Sequence, residues 1–233
     1  MKFQFQFEPV FAQLGIILQG ALLTIELSAG AIVLGFVVAV LLSAVRAMGP
    51  RWAGWLVDAY VELLRNTPFV VQLFMVFFGL PELGIRLSAT QAALLAMTLN
   101  LSAYATEIIR AGVESIHHSQ LEAGYSLALT SRQVFQHVVL VPAVAKVWPA
   151  LSSQFVLMML ASSVTSFISV QEISGTAAVI ESRSFRSIET YLIATAIYLG
   201  LALALKLILF TIGRFAFPRV SGLARVQTKG EAA

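Results

Sequence analysis

Residues 14 to 45 read LGIILQGALLTIELSAGAIVLGFVVAVLLSAV, with one charge, Glu26, before the run closes at Arg46. A helix needs ~20 apolar residues to cross ~30 Å of hydrocarbon. This run is longer, so it crosses with a tilt or protrudes. Four further runs follow, at about 55–80, 90–109, 138–160 and 191–212. The second is polar on one face at first (Asp58, Glu62, Arg65) and apolar from Phe69 to Leu80 apart from Gln72. Pro68 predicts a kink or break between its halves. The fold class read from this pattern is all-α integral membrane: five transmembrane helices plus short cytoplasmic helices, in a single transmembrane domain over 1–233.

Composition points the same way. Of 233 residues, 58% are hydrophobic and 12% charged, about half the charge of an ordinary soluble domain. Mean hydropathy is +0.86. The chain has no cysteine, which excludes disulfides, iron–sulfur clusters and thiol catalysis. The net charge of +3 is scattered at the flanks of apolar runs, the pattern of a membrane protein and not of a nucleic-acid binder. The first residues lack a short apolar stretch followed by a small-residue cleavage site, so the first span is expected to stay in the mature protein. If the N-terminus is outside, the cytoplasmic side holds Arg46, Arg51, Arg65, Arg110, Arg132, Arg214, Arg219, Arg225 and Lys229, against Lys2, Arg86, Arg183 and Arg186 outside. That asymmetry predicts N-terminus out and C-terminus in the cytoplasm. The tail after Pro218 is short and polar.

The connection from Arg110 to His137 holds too much helical signal for a loop, and its segment 114–135 is the candidate docking element. Ser119 with Glu122, and Thr130 with Gln133, both fit capping boxes. They predict a short helix from about Gln120, a break at Ala128 to Thr130, and a second helix leading into the fourth span. Leu121, Leu127 and Leu129 exceed what a solvated loop needs. The segment reads as a docking knob for a partner or, alternatively, as an amphipathic helix on the lipid surface.

At this point the sequence resembles a family, the membrane-spanning subunit of polar-amino-acid ABC importers of the histidine/glutamine/arginine/glutamate type. Their cytoplasmic signature is Glu-Ala-Ala, three residues, Gly, nine residues, Ile, one residue, Leu-Pro. Here Glu122-Ala123-Gly124 is followed by three residues, Ala128, nine residues, then Val138-Val139-Leu140-Val141-Pro142. Gly124 replaces the second Ala, Ala128 replaces the Gly at the helix break, and Pro142 falls one position late. Ala at that break disfavours a positive φ. Tyr60-Val61-Glu62-Leu63-Leu64-Arg65-Asn66-Thr67-Pro68 is similar to a family stretch with Gly at position 66. Ala103 to Gly112, Gln154 to Ile168 and Ser184 to Tyr191 resemble three more, although Leu160-Ala161 stands where a Lys-Asp pair is frequent.

The resemblance implies a type I ABC importer permease fold. It implies a second permease subunit, identical or related, two copies of a cytoplasmic ABC ATPase that binds ATP and Mg, and an extracytoplasmic amino-acid-binding protein, with this chain in a bacterial inner membrane. The 119–130 coupling helix, through Gln120, Glu122, Ala123, Gly124 and Ala128, would seat in the ATPase. No Gly-x-x-x-x-Gly-Lys-Ser/Thr motif is present, so hydrolysis would belong to the partner.

Candidates for the substrate path are Glu26, Gln72, Asn100, Gln154, Ser162, Ser163, Thr165 and Ser166. An amino acid needs acceptors for its ammonium and donors for its carboxylate. A carboxylate within a span is a functional candidate by default, unless it sits near an interface or beside a cation of its own bundle. The hydroxyl run either faces solute or bonds back to its own helix. Glu107 and Arg110, spaced i, i+3, read as a structural ion pair. His117 and His118 diverge by ~100° on a helix and read as a solvated cap, not a metal site. No catalytic group, triad or metal spacing is present, and no cofactor is expected on this chain. Two other readings stay open: a self-sufficient channel or secondary carrier for small polar solutes, and a membrane scaffold that only docks a cytoplasmic protein.

Overall fold

The computed structural model describes residues 5–217, and every regular element among them is helical. Lys2 and the tail from Pro218, with Arg219, Arg225 and Lys229, lie outside the described residues. A short α1 (Glu8–Phe11) leads into α2 (Leu14–Met48). At 1.5 Å per residue α2 is about 52 Å long, so it outruns the hydrocarbon core.

The second span is broken. α3 (Arg51–Arg65) and the next helical stretch, Phe69–Glu82, meet at 107°. That stretch comprises α4 (Phe69–Phe74), a π-helical turn Met75–Gly79 and α5 (Leu80–Glu82). Pro68 takes an extended φ/ψ and lacks the N–H that a continuous helix needs. The four remaining helices long and apolar enough to cross are α2, α6 (Ala89–Glu114), the stretch 131–168 and α11 (Ser187–Ala216). The bent pair makes five if it counts as one span.

After α6 come α7 (His118–Ser126) and α8 (Ser131–Gln133). α8 runs through a π-helical segment, Val134–Leu140, into α9 (Val141–Ala161). Pro142 sits in the first turn of α9, where its missing N–H is tolerated best, and the wider π turn precedes it. A 3₁₀ stretch, Ser162–Ile168, ends the span, and α10 (Ile173–Ser184) fills the connection to α11.

α6 is the axis of the bundle. Its Ala92, Ala93, Ala96, Met97, Leu101 and Ala105 are wholly buried. α2 lays a stripe of small residues along the bundle (Gly20, Thr24, Ser28, Ala31, Gly35, Ala39, Ser43), all buried. Lipid gives little hydrophobic drive between helices, so close backbone approach through small residues supplies the packing instead. The outward faces of α2 and α11 are apolar and exposed (Leu18, Leu22, Val33, Val37; Leu199, Leu203, Leu207), as lipid contact requires.

Candidate functional site

The connecting segment between α6 and α9 forms a compact knob. α7 starts two residues earlier than the Ser119–Glu122 pairing predicts. His117 is the N-cap, its Nδ1 accepts from the Ser119 amide at 3.3 Å, and Glu122 pairs instead with His118 Nδ1 at 3.0 Å. The ring nitrogen of His117, an extended residue, takes the capping role, so the helix gains two residues, about half a turn. The second box forms as read: the Gln133 amide donates to Thr130 Oγ1 at 3.4 Å, and the Thr130 amide to Gln133 Oε1 at 2.9 Å.

Between the two caps the chain reverses through a left-handed residue. Ala128 adopts φ 57°. Its amide donates to Tyr125 O at 2.9 Å, and the Leu129 amide reaches back to Gly124 O at 3.3 Å. These two bonds are the Schellman closure of α7. The turn is therefore built with Ala where the family signature has Gly, at a steric cost to its Cβ.

The knob has an inner and an outer side. Leu121 and Leu129 pack with Ile116 and Val138 onto buried Val134, Phe135 and Val139. Gly124 is buried there, and a Cβ on it would lie 3.1 Å from Val134 Cγ2. Gln120, Glu122, Ala123 and Ala128 face outward, as do Tyr125 and Leu127, the last 75% exposed. Of the three leucines, only Leu127 is exposed.

A charge network ties the base of the knob to the bundle. Arg110 donates to Glu107 (2.8 and 2.5 Å) and to Glu114 (2.5 Å). Arg65 lies 3.5 Å from Glu107, and Arg46 donates to Asp58 at 2.5 Å. Glu107 thus serves α3 as well as its own helix. Arg46, Arg65 and Arg110 gather at one end of the bundle, called here the arginine-rich end.

Among the path candidates, Gln72 and Asn100 are brought together. Asn100 Nδ2 donates to Gln72 Oε1 at 2.9 Å. Gln72 Nε2 lies 2.7 Å from Leu64 O, 3.1 Å from Thr67 O and 2.9 Å from Thr67 Oγ1. Thr67 Oγ1 and Asn66 Nδ2 satisfy Leu63 O and Glu62 O. These side chains supply partners to the carbonyls that the bend orphans, a requirement at membrane depth. The hydroxyl run bonds back to its own helix. Ser162, Ser163, Thr165 and Ser166 donate to the carbonyls of Met159, Leu160, Ser162 and Ser163 at 2.6–2.8 Å. Ser162 and Thr165 are buried, while Ser163 and Ser166 keep partial exposure. Gln154 is half-buried, and Glu26 is exposed with no hydrogen-bond partner among the described residues.

One buried acid escaped the sequence reading. Glu172 is 0% exposed and caps α10, accepting from the Ser174 and Gly175 amides at 3.0 and 2.8 Å and from the Tyr198 hydroxyl. Burial raises its carboxyl above the usual carboxylate range, against the pull of these three bonds. Its only sequence signal was the acid two residues before Ser174-Gly175. Among the described residues no cluster of three His, Asp or Glu could hold a metal.

A helical permease bundle with a capped knob at one end defines the class. The family model described as "Binding-protein-dependent transport system inner membrane component" matches residues 31–222, and this chain belongs to that family. The arginine transport system permease protein ArtQ of Bacillus subtilis is 30% identical over 203 residues, 87% of this chain and 93% of that protein. The L-cystine transport system permease protein TcyB of the same species is 33% identical over 196 residues, 84% of each. A solved structure titled "Crystal structure of an amino acid ABC transporter with histidines" superposes with a TM-score of 0.82 at 28% identity, covering 91% of this chain and 99% of that one. The chain is a multi-pass inner-membrane permease subunit with the type I importer fold, and its part is transport.

Proposed function

We propose that the chain is the translocation subunit of an ATP-driven importer that carries polar or charged amino acids into the cytoplasm. The similar proteins named for arginine and L-cystine support that substrate class. Two copies of a separate ATPase, holding ATP and Mg, drive it. A second permease subunit, identical or related, completes the path, and an extracytoplasmic binding protein delivers the solute. The observation that carries the coupling role is the outer face of the knob. It offers Gln120, Glu122, Ala123, Tyr125 and Leu127 on a helix closed at both ends. A helix so braced moves as a body, which is what transmitting ATPase closure to the spans requires.

In this reading the arginine-rich end is cytoplasmic, with the N-terminus outside. Glu26 is the one carboxylate among the path candidates and would receive the ammonium of the solute. Ser163, Ser166 and Gln154 keep exposure enough to meet its carboxylate.

The test is purification of the tagged chain in mild detergent, with Leu127→Glu beside it. An ATPase at one copy per membrane subunit is expected with the native chain, and its loss with the variant at unchanged membrane level. If the native chain purifies alone and moves solute on an ion gradient, the importer reading fails and the self-sufficient carrier replaces it. Leu127 is the residue to change because substitution at buried Gly124 would disturb the knob itself.

A further inference from the structure

A groove of about 760 Å³ runs between α9 and α11, apart from the knob and from every path candidate but for its closeness to Gln154 in sequence. Its floor is Trp148. The indole lies so close over Gly213 that a Cβ there would sit 2.3 Å from Nε1, and Nε1 donates to Leu209 O at 2.9 Å. Val156, Leu157 and Phe210 line its apolar walls, and two cations, Lys206 and Arg214, join them. No Asp or Glu is in the lining.

Lys206 stands ten residues before the end of α11, roughly 15 Å deep along the helix. A cation at that depth is costly unless it snorkels to the interface or meets an anion. Neither Lys206 nor Arg214 has a hydrogen-bond or ion-pair partner among the described residues. The sequence beyond Phe217 carries Arg219, Arg225 and Lys229 against Glu231, so its net charge is positive and does not complement the groove. The missing partner is an anion with an apolar body, presented at the membrane.

We propose that this groove binds an anionic phospholipid of the surrounding bilayer. Its phosphate lies between Arg214 and the snorkelled Lys206, and an acyl chain lies along Trp148 and Phe210. A lipid so held braces α11 against α9 at the arginine-rich end, where the knob joins the bundle.

The chain has three tryptophans: Trp52, Trp55 and Trp148. A Trp52→Phe/Trp55→Phe background therefore reports on the groove alone. The full-length chain is reconstituted in phosphatidylcholine nanodiscs that contain brominated phosphatidylglycerol or brominated phosphatidylcholine. We expect Trp148 to be quenched at a lower mole fraction of the anionic lipid, by about fivefold for each cation that contacts the phosphate. Lys206→Gln/Arg214→Gln should erase that preference. Equal quenching by both lipids means annular lipid only and overturns the proposal. No quenching by either, or a disulfide-linked dimer formed through Phe210→Cys in this cysteine-free chain, assigns the groove to a second copy and also overturns it. The comparison of the two lipids on unaltered Lys206 and Arg214 decides the matter even if the charge variant fails to fold.

Discussion

Ala128 carries a local conflict: an L-residue with a Cβ held at φ 57° by the closure of α7. A left-handed Ala costs roughly 1 kcal/mol. Ala128→Gly should therefore stabilise the protein by about 0.5–1 kcal/mol, read as a rise in the thermal midpoint of the purified chain. A fall would mean that the turn depends on something other than the Schellman bonds. Gln72 is the opposite case. Its amide serves the orphaned carbonyls at the bend and accepts from Asn100. Gln72→Leu leaves buried Asn100 and the part-buried carbonyls without their partner and should cost about 2–3 kcal/mol, seen as earlier unfolding in denaturant. Unchanged stability would return Gln72 to the solute path. The sequence marked Gln72 and Asn100 as polar groups at membrane depth. It did not reveal their pairing, because nothing in a one-dimensional pattern says that residues 28 apart meet across a bend.

Among the elements, span existence was legible and span shape was not. Run length alone identified α2, α6, the 131–168 stretch and α11, since twenty apolar residues have few other uses. Pro68 marked the break in the second span, but the 107° angle depends on where α3 finds its partners. Tyr60 donates to Leu99 O at 3.0 Å, and Arg65 lies 3.5 Å from Glu107. The box at Thr130 forms as read and the one at Ser119 does not, because His117 takes the N-cap place two residues earlier and Glu122 pairs with His118. α10 was missed altogether. It is held by Glu172, whose acceptors cap its first turn, and by close contact with α2, where a Cβ on Gly20 would lie 2.6 Å from Thr176 Oγ1. Glu172→Ala removes the cap and strands the Tyr198 hydroxyl, so it should cost about 2 kcal/mol. Acid should not mimic the substitution. A carboxyl whose folded pKa is raised favours the folded state below its ordinary titration range and loses that advantage as pH rises through the raised value. Stability that instead fell on acidification, in native protein but not in Glu172→Gln, would contradict the burial-dominated environment.

For the whole molecule the coupling role depends on which way the bundle faces. Arg46, Arg65 and Arg110 are tied into one charge network, Arg46 and Arg110 through Glu114 and Arg65 and Arg110 through Glu107, and the knob stands at that same end. A reversed protein would have to hold this network and the knob outside, against the bias that retains Lys and Arg in short loops on the cytoplasmic side. The absence of cysteine makes the question directly measurable. Leu83, 76% exposed in the connection before α6, and Tyr125, 51% exposed on the knob, lie at opposite ends of the bundle. With a membrane-impermeant maleimide on spheroplasts, Leu83→Cys should label at once and Tyr125→Cys only after the membrane is opened. The reverse pattern would put the knob outside. No cytoplasmic ATPase could then reach it, and the coupling role would fall with the orientation.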